Sequence, residues 1–416
     1  MITIDDALRR ILAHVPANGV ERVDLGSAAG RVLAEDVGSV GELPPWPASA
    51  MDGYAVRAED VPGRLRVIET VAAGAVPRHP VVAGGATRIM TGAPVPDGAD
   101  AVVMVEDTVA DGDAVEVRVG ARIGQHIRPR GSEIARGAVV LRAGTVLGAG
   151  AIGVAAGIGH PSLRVWMRPR VAILSTGDEI VETGFPLGPG QIWSSNTYAL
   201  AALVEAAGGQ PVNLGNVRDD PAAIAAAFRE ALRCDVVLST GGVSVGDFDH
   251  VKAVLGGLGL TMDFWRVAMK PGKPLAFGTL AGRPVFGLPG NPVSCMVNFL
   301  QFVRPVLRTM LGDPRPFLPV VEAEMRTPWK RRAGRPELVR VALSFEGGRV
   351  YASLAGGQGS AHLAGMAHAH GLALMEAAQT ELSGSIRVQV FDPSFWSGAT
   401  ADLGPMASAH PADDSC

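Results

Sequence analysis

Residues 235–250 read D-V-V-L-S-T-G-G-V-S-V-G-D-F-D-H, a short apolar run that breaks into hydroxyl residues and glycines. The β-branched run 236–238 predicts a buried parallel strand. The loop after it carries Ser239, Thr240, Gly241 and Gly242. Small residues at the carboxyl end of a strand let backbone N–H groups approach an anion, and Asp247 and Asp249 follow as ligands for a hard cation. The stretch predicts a phosphate site with a metal, although a Gly-rich turn without a ligand explains it equally well.

The tetrapeptide L-S-T-G occurs twice, at residues 174–177 and 238–241, each time directly after a β-branched run. The first copy also runs into acids, Asp178 and Glu179. Because the carboxyl ends of parallel strands meet at one edge of a sheet, we expect both loops and their carboxylates at that edge.

Length and composition exclude several classes of protein. A chain of 416 residues is too long for one core and predicts two to four domains. Its net charge of −4 indicates no general affinity for nucleic acid or membranes. Cys234, Cys295 and Cys416 lack CxxC spacing, which disfavours disulfides and zinc. With no apolar leader and no run of about 18 apolar residues, we expect a cytoplasmic protein that is neither exported nor membrane-spanning.

From Arg170 the pattern becomes a regular alternation of strands and helices. The predicted strands are 171–174, 211–214, 236–238 and 264–268, and the predicted helices are 196–207, 221–233, one near 250, and 291–311. This alternation is typical of a doubly wound domain. The turn G-L-P-G-N-P at 287–292 precedes the last helix and offers an anion site. Asp219 and Asp220 precede the helix at 221 and can be explained as caps alone.

The regions on either side of the doubly wound domain are richer in short strands. Thr3 and Asp6 open an amphipathic helix, and L-P-P-W-P at 43–47 indicates a boundary. The small apolar run 145–160 predicts a helix that returns to pack on the N-terminal helix, which would make the β region before it an insertion. The predicted domains are 1–45 with 141–168 (a split N-terminal domain), 46–140 (an inserted β domain), 169–315 (doubly wound), 316–396 (a C-terminal β barrel) and 397–416 (a disordered tail).

Four features of these flanking regions give only weak functional signals when the residues are considered alone. Asp52 precedes a glycine, and a turn-forming Asp-Gly is the favoured interpretation. Thr91 lies at the mouth of a strand-to-loop transition, and Glu133 lies on a charged turn that can be a solvated surface. The histidines at 362, 368 and 370 have no metal-binding spacing.

Six segments occur in one order: S-A-M-D-G-Y-A-V-R at 49–57, I-M-T-G-A-P-V-P at 89–96, L-S-T-G-D-E at 174–179, S-T-G-G-V-S-V-G-D-F-D at 239–249, M-K-P-G-K-P-L-A-F-G at 269–278 and G-L-P-G-N-P-V-S at 287–294. Together they resemble the molybdopterin molybdenumtransferase family, which includes MoeA and the gephyrin E domain. The resemblance extends to about residue 396. It implies an α/β multidomain fold with an elongated helical and strand domain split around a small β domain, a doubly wound molybdopterin-binding domain and a C-terminal β barrel.

The resemblance implies a step of molybdenum cofactor synthesis. Such an enzyme binds adenylylated molybdopterin, breaks its pyrophosphate bond with a divalent cation such as Mg²⁺, releases AMP and leaves molybdate on the dithiolene sulfurs. It also implies a homodimer whose active cleft is shared between protomers, with molybdopterin adenylyltransferase as a candidate partner. Neither nucleic acid nor a membrane is expected as a partner.

The family motifs also assign residues. The implied metal ligands are Glu179 and Asp249, and the implied catalytic acids are Asp52, Glu133, Glu179, Asp219 and Asp249. Adenylylated molybdopterin would be bound by Thr91, Ser175, Thr176, Gly177, Asp178, Thr240, Gly241, Gly242, Pro289, Gly290, Asn291 and Pro292. Molybdate would be bound by Ser244, Lys270, Lys273, Arg340 and Ser360.

The segment Lys270-Pro-Gly-Lys273 fits a type II turn after a strand ending at Met269, so both ammonium groups can converge on one anion. Two departures from the family pattern are Pro47-Ala48, where many relatives have Asp-Asn, and Glu133, where Asp is usual.

Three other interpretations stay open. A molybdopterin adenylyltransferase or a CinA-like nucleotide hydrolase would share the doubly wound domain, but the adenylyltransferase would not need the flanking β domains or the K-P-G-K-P turn. A non-catalytic scaffold like gephyrin would not need Asp52, Glu179 and Asp249.

Overall fold

The computed structural model describes residues 1–241 and 248–396, and gives only the backbone of 248–250. The chain divides into two compact units, Val20–Val165 and a first unit made of Met1–Gly19 with Trp166–Cys416. The domain boundaries predicted from the sequence are finer than this division and stay predictions. The tail 397–416, predicted to be disordered, lies outside the described residues.

The second unit, Val20–Val165, is built around a six-stranded curled sheet in the order β7-β4-β6-β5-β9-β8. Tyr54, Leu65 and Val103 lie in its core. The strands are β4 Gly53–Val56, β5 Gly63–Val71, β6 Gly85–Ile89, β7 Ala101–Met104, β8 Thr108–Asp111 and β9 Ala114–Val117.

Short strand pairs flank that sheet in the sequence. The pairs are β1 Val20–Asp24 with β12 Ser162–Trp166, β2 Val37–Gly38 with β11 Val139–Leu141, and β3 Ala48–Ser49 with β10 Ile127–Arg128. The helix α2, Ala149–Gly157, packs with the outer two pairs through Leu33, Ala155 and Leu163. Because segments before the six-stranded sheet pair with segments after it, the sheet is an insertion, as the sequence predicts.

The first unit begins with α1, Ile4–Leu12, whose N-cap Thr3 accepts a hydrogen bond from the Asp6 N–H at 3.1 Å. Its apolar face buries Ala7 and Ile11 in the core of the unit, so the predicted amphipathic helix is confirmed.

A six-stranded sheet organises the first unit, in the order β16-β13-β17-β20-β19-β18. Its strands are β13 Arg170–Thr176, β16 Gln210–Val217, β17 Val236–Thr240, β18 Thr261–Arg266, β19 Pro274–Leu280 and β20 Arg283–Leu288. Neighbours among the first four strands of this order are parallel, whereas β19 is antiparallel to both β18 and β20. A further small parallel pair joins β14 Ile180–Val181 to β15 Ile192–Trp193.

Helices cover both faces of this sheet. Val171 and Ile173 of β13 point into a core with Leu200, whereas Ala172 and Leu174 point into another core with Phe228. This alternation confirms the doubly wound fold. The helices are α3 Asn196–Ala206, α4 Pro221–Ala231, α5 Phe248–Gly257, α6 Pro292–Asn298 and α7 Arg304–Met310.

Two details of this unit differ from the sequence prediction. The strand placed at 264–268 ends at Arg266, and two strands, β19 and β20, were missed; they form a hairpin around Ala281 and Gly282, both with positive φ. The long helix 291–311 contains a π-helical turn, Phe299–Val303, between α6 and α7. This turn ends two residues before Pro305, which has no N–H to donate to an α-helical ladder.

The C-terminal part of the first unit is a closed barrel in the order β21-β23-β22-β24-β25, which confirms the predicted β barrel. Its core contains Met325, Val339, Val341 and Val388. Its elements are β21 Val320–Lys330, β22 Glu337–Glu346, β23 Arg349–Leu354, the short helix α8 Ala364–Ala367, β24 Gly371–Met375 and β25 Glu381–Val390. Among the helices of the described residues, none has the length and apolarity needed to cross a membrane.

Candidate functional site

The two L-S-T-G loops lie side by side at the carboxyl edge of the doubly wound sheet. Ser175 at the end of β13 is paired with Thr240 at the end of β17, and Thr240 is paired with Leu288 of β20. The segment after β20 therefore joins the same edge. The prediction that both loops share one edge is confirmed. The turn 287–292 is a third loop at this edge.

Glycines allow these loops to approach closely. A Cβ on Gly241, which has φ +86°, would lie 2.2 Å from the Thr176 carbonyl oxygen. A Cβ on Gly290 would lie 3.8 Å from the Gly241 Cα. At Gly177, with φ +140°, a Cβ would lie 2.6 Å from the Glu179 carboxylate. Gly241 is therefore required by backbone conformation as well as by space, whereas Gly177 is required by its backbone conformation, because the Glu179 side chain near it can move.

The loops surround a cleft of about 500 Å³, which we call the phosphate-loop cleft. Its lining includes Ser175, Thr176, Thr240, Gly241, Pro289, Gly290, Asn291 and Pro292, all predicted substrate-binding residues. Thr240 donates to the Pro289 carbonyl at 3.3 Å, so its hydroxyl is used within the chain. The Thr176 hydroxyl is buried and, among the described residues, has no hydrogen-bond partner. A buried hydroxyl of this kind is available to a ligand.

Two asparagines that the sequence analysis missed hold the loops together. Asn196, the first residue of α3, donates from Nδ2 to Thr240 Oγ1 at 2.9 Å and to the Gly290 carbonyl at 2.8 Å. Asn216 of β16 accepts from Ser175 Oγ at 3.0 Å and donates to the Gly177 carbonyl at 3.0 Å. The only sequence signal for Asn196 was its position in S-S-N before a helical run. Such a sequence is typical of an ordinary helix cap.

The structure describes only some of the side chains that are expected to hold a metal. Glu179 is exposed and lines the phosphate-loop cleft. The backbone of Asp249 lies in the first turn of α5, but its side chain lies outside the described part of the chain, as do Gly242 and Ser244. The described residues include no cluster of three His, Cys, Asp or Glu side chains that could hold a metal ion. The Glu179 carboxylate and the Thr176 hydroxyl, which lacks a partner among the described residues, are oxygen donors in one cleft, and oxygen is the ligand type that Mg²⁺ prefers.

Asp178 and Asp219 lie beside these loops rather than in the lining of the cleft. The Asp219 N–H donates to Asp178 Oδ1 at 3.4 Å, and both side chains are exposed. The helix cap is Asp220, which accepts from the Ala223 N–H at 2.8 Å. The capping explanation is therefore correct for Asp220 but not for Asp219, whose catalytic role stays a prediction.

A second cleft of about 490 Å³, the lysine cleft, lies at the same edge of the sheet. Lys270 and Lys273, on the connection from β18 to β19, line it together with Ser360 and Arg335 from the barrel. Gly272 has φ +96°, as a type II turn requires of its third residue, but the Lys270–Pro271 peptide is cis, which the sequence did not predict. Pro274 and Asn291 line both clefts, so the two are neighbours.

Three polar side chains that line the lysine cleft have defined partners. Lys270 Nζ lies 2.9 Å from Oε1 of Glu337, whose side chain is 2% exposed. Arg335, which the sequence analysis missed, donates to the Met269 carbonyl at 2.8 Å. Ser360 Oγ accepts from Asn291 Nδ2 at 3.3 Å.

Arg340 lies beneath this cleft rather than in its lining. It is fully buried, and its Nη2 donates to the carbonyls of Gly357 and Gly359 in the loop that carries Ser360. Burial lowers the pKa of the Arg340 guanidinium, partly offset by the charge of Glu337. The structure thus gives Arg340 a role in supporting the loop, and its contact with molybdate stays a prediction.

In the second unit, Asp52 and Thr91 are brought together although 39 residues separate them. The Asp52 carboxylate accepts from the Thr91 N–H at 2.7 Å and from the Thr91 hydroxyl at 2.9 Å. These two hydrogen bonds hold the pKa of Asp52 below its ordinary value. Glu133 is exposed, and its N–H donates to the Leu43 carbonyl at 3.0 Å. Ala48, one of the two departures from the family pattern, is buried in β3.

Family comparisons match almost the whole chain in three segments. Residues 2–159 match "MoeA N-terminal region (domain I and II)". Residues 172–309 match "Probable molybdopterin binding domain", and residues 322–390 match "MoeA C-terminal region (domain IV)".

Individual relatives cover much of the same chain. A molybdopterin molybdenumtransferase of Nostoc sp. is 41% identical over 72% of this chain and 71% of its own length. Molybdopterin molybdenumtransferase 2 of Mycobacterium tuberculosis is 39% identical over 89% of this chain and 94% of its own length. The crystal structure of the molybdopterin biosynthesis MoeA protein from Pyrococcus horikoshii superimposes with a TM-score of 0.81 at 30% identity, covering 94% of this chain and 100% of that one.

Proposed function

Since this chain belongs to the molybdopterin molybdenumtransferase family and is thereby a transferase of molybdenum cofactor biosynthesis, we propose that it inserts molybdate into adenylylated molybdopterin and releases AMP. The observation that carries the proposal is the pair of neighbouring clefts at one sheet edge. One is lined by hydroxyls and close-packed glycine loops, and the other by three basic side chains. A substrate with a pyrophosphate and a separate oxyanion needs both environments.

The phosphate-loop cleft would hold the pyrophosphate. The Thr176 hydroxyl is buried and has no hydrogen-bond partner within residues 1–241 and 248–396, and Asn196 donates a hydrogen bond to the Thr240 hydroxyl. Glu179, with Asp249 as the family motif implies, would hold Mg²⁺ beside these groups. The ion, when bound, neutralises charge on phosphate oxygens as AMP leaves. The loops themselves orient the phosphates, because the glycine contacts leave them little freedom to move.

The lysine cleft would hold molybdate. A unit charge pair at 4 Å contributes about 4 kcal/mol at an effective dielectric constant of about 20, before the cost of desolvation. No described carboxylate oxygen lies within 4.0 Å of the charged nitrogens of Lys273 or Arg335, whereas Lys270 forms an ion pair with Glu337. The cleft therefore keeps net positive charge for a doubly negative tetrahedral anion.

The alternative functions explain less of the chain. An adenylyltransferase or a nucleotide hydrolase built on the doubly wound domain alone would leave the matches at 2–159 and 322–390 without a role. Arg335 and Ser360 of the lysine cleft belong to the barrel region that such proteins would not require.

The direct test mixes the purified protein with adenylylated molybdopterin, molybdate and Mg²⁺ and measures AMP release. We expect AMP only when molybdate and the divalent ion are both present, and chelation with EDTA should stop the reaction. Failure of the wild-type protein to release AMP under these conditions would overturn the proposal.

A paired variant separates the roles of the two clefts. Lys270→Ala with Lys273→Ala should raise the molybdate concentration needed for half-maximal AMP release by at least about tenfold, because most of the charge in the lysine cleft is removed. Adenylylated molybdopterin should still bind, since the phosphate loops are intact. An unchanged molybdate requirement would show that the lysines face solvent and that the anion binds elsewhere.

A further inference from the structure

An exposed tryptophan lies at the rim of the phosphate-loop cleft without a described role. Trp193 and its neighbour Ile192 both line the cleft, yet they are 53% and 55% exposed. The indole Nε1 donates to the Phe185 carbonyl at 2.9 Å. The polar edge of the ring is therefore satisfied inside the chain, and the ring is held in one orientation while much of its apolar surface stays uncovered.

The backbone ties this tryptophan directly to the first phosphate loop. Trp193 ends β15, which pairs with β14, the strand that starts one residue after Glu179. The Ile192 N–H donates to the Glu179 carbonyl at 2.9 Å, and the Ser194 N–H donates to the Val181 carbonyl at 2.8 Å. Asn196, which binds the other two loops, follows three residues later. These backbone hydrogen bonds hold the Trp193 segment in a defined position relative to the phosphate-binding groups.

An oriented, uncovered aromatic ring beside phosphate-binding groups is the arrangement that stacks a planar heterocycle. A protein partner is the competing explanation, because Phe185 and Leu187 nearby are also exposed. Those two side chains do not line the cleft, however, whereas Trp193 does. The Thr176 hydroxyl in the same cleft, which no residue of the described part of the chain hydrogen-bonds, also favours a small polar ligand over a protein surface.

We propose that Trp193 is the stacking platform for a planar heterocycle carried by the phosphate-bearing substrate. The proposal rests on the proposed function and deepens it, since adenylylated molybdopterin carries two such heterocycles, an adenine and a pterin. Either heterocycle would stack its flat π-system on the indole face, and the attached phosphates would reach the hydroxyl-lined loops.

The test uses Trp193→Ala and Trp193→Phe in the full chain, with AMP, molybdopterin and ribose 5-phosphate as separate probes in calorimetric titrations. Trp396→Ala is the matched control, because Trp396 is 46% exposed and lies far along the chain, on the barrel, against Phe395. We expect Trp193→Ala to weaken the binding of one base-bearing probe about tenfold or more. Trp193→Phe should retain most of the affinity, and ribose 5-phosphate should bind all variants alike.

The two base-bearing probes identify the heterocycle. Weaker binding of AMP alone assigns the platform to adenine, and weaker binding of molybdopterin alone assigns it to the pterin. Unchanged affinity for both probes in Trp193→Ala overturns the proposal, and if light scattering then shows an altered oligomeric state, the surface is a protein interface. These outcomes are independent of the turnover assay, because a wild-type protein that releases no AMP from adenylylated molybdopterin refutes the proposed function instead.

Discussion

Gly241 is a residue at which the two L-S-T-G loops come close together. Two properties favour glycine at this position. Its φ is +86°, which is a conformational requirement, and an ideal Cβ would lie 2.2 Å from the Thr176 carbonyl oxygen, which is a steric one. Gly215, on the neighbouring β16, shares only the first requirement, since it has φ +79° and no atom of the described residues lies within 4 Å of its ideal Cβ.

We predict that Gly241→Ala will be much more harmful than Gly215→Ala. The control should cost about 1–2 kcal/mol in the free energy of unfolding, the strain of a left-handed alanine, and should keep AMP release. Gly241→Ala should cost about 1–3 kcal/mol more and lower AMP release roughly a hundredfold, because the loops must separate. Urea unfolding and AMP release measure the two effects, and equal behaviour of the two variants would refute the steric argument.

The pKa of Asp52 depends mainly on one neighbouring residue, Thr91. The Thr91 N–H and then the Thr91 hydroxyl are the main causes of its lowered pKa. A carboxyl whose pKa is lowered in the folded state stabilises the fold above the unfolded value of 3.8, and this contribution is lost as the pH falls through the folded value.

We predict that Thr91→Val will raise the pKa of Asp52 toward 3.8 without reaching it, because the backbone N–H remains. Carboxyl ¹³C NMR titration of aspartate-labelled protein measures the change. Asp36, whose pKa is lowered mainly by the Ala143 N–H and by Arg142, serves as the internal control and should not move. A Thr91→Val titration curve identical to that of the wild type would show that the hydroxyl hydrogen bond is absent in solution.

At the scale of elements, the connection between β18 and β19 is joined to the barrel strand β22. The Lys270 N–H donates to the Pro336 carbonyl and the Leu338 N–H donates to the Lys270 carbonyl, each at 2.8 Å. Beside this bridge the buried Glu337 lies 2.9 Å from Lys270 and 3.6 Å from Arg331. The lysine cleft therefore depends on a buried charge cluster that its own loop helps to form.

We predict that Glu337→Gln will lower the free energy of unfolding by about 3 kcal/mol, because it leaves the buried Arg331 charge without its carboxylate. Glu381→Gln is the matched control on the same barrel. Glu381 pairs with Lys330 at 3.5 Å, with side chains 42% and 75% exposed, so the loss there should be below about 1 kcal/mol. Urea unfolding compares the two, and similar losses would show that Glu337 is solvated.

At the scale of the whole molecule, the acids that the family motifs single out are divided between two units. Asp52 and Glu133 belong to Val20–Val165, whereas Glu179, Asp219 and both clefts belong to the first unit. The family resemblance implies a homodimer with a shared cleft, so an acid of one chain would act on substrate held by the other.

We predict that Asp52→Ala and Glu179→Ala, each inactive alone, will recover AMP release when mixed as heterodimers. If the cleft is shared, one of the two sites in a mixed dimer receives intact residues from both chains. If each site lies within one chain, every site keeps one defect. Heterodimers shown to form by mass spectrometry but without activity would therefore place the acids of one site in a single chain.

The sequence by itself determined the elements whose signals are local. Apolar runs followed by S-T-G predicted β13, β17 and their loops, and Asp220-Pro221 predicted the start of α4, because strand burial and helix capping depend on neighbouring residues. The common edge of the two loops was also predictable, since parallel strands end on the same side.

Only the tertiary structure decided which distant residues complete the clefts. The grouping of Asn196 with Thr240 and Gly290, of Thr91 with Asp52, and of Glu337 with Lys270 depends on chain segments that are far apart in the sequence. The β19–β20 hairpin was missed for a related reason: its glycines and prolines weaken the local strand signal, and pairing with β17 and β18 stabilises it. Arg340 shows the same limit, because the local sequence of a charged residue in a barrel strand does not indicate that its side chain will be buried and hydrogen-bonded to the loop that carries Ser360.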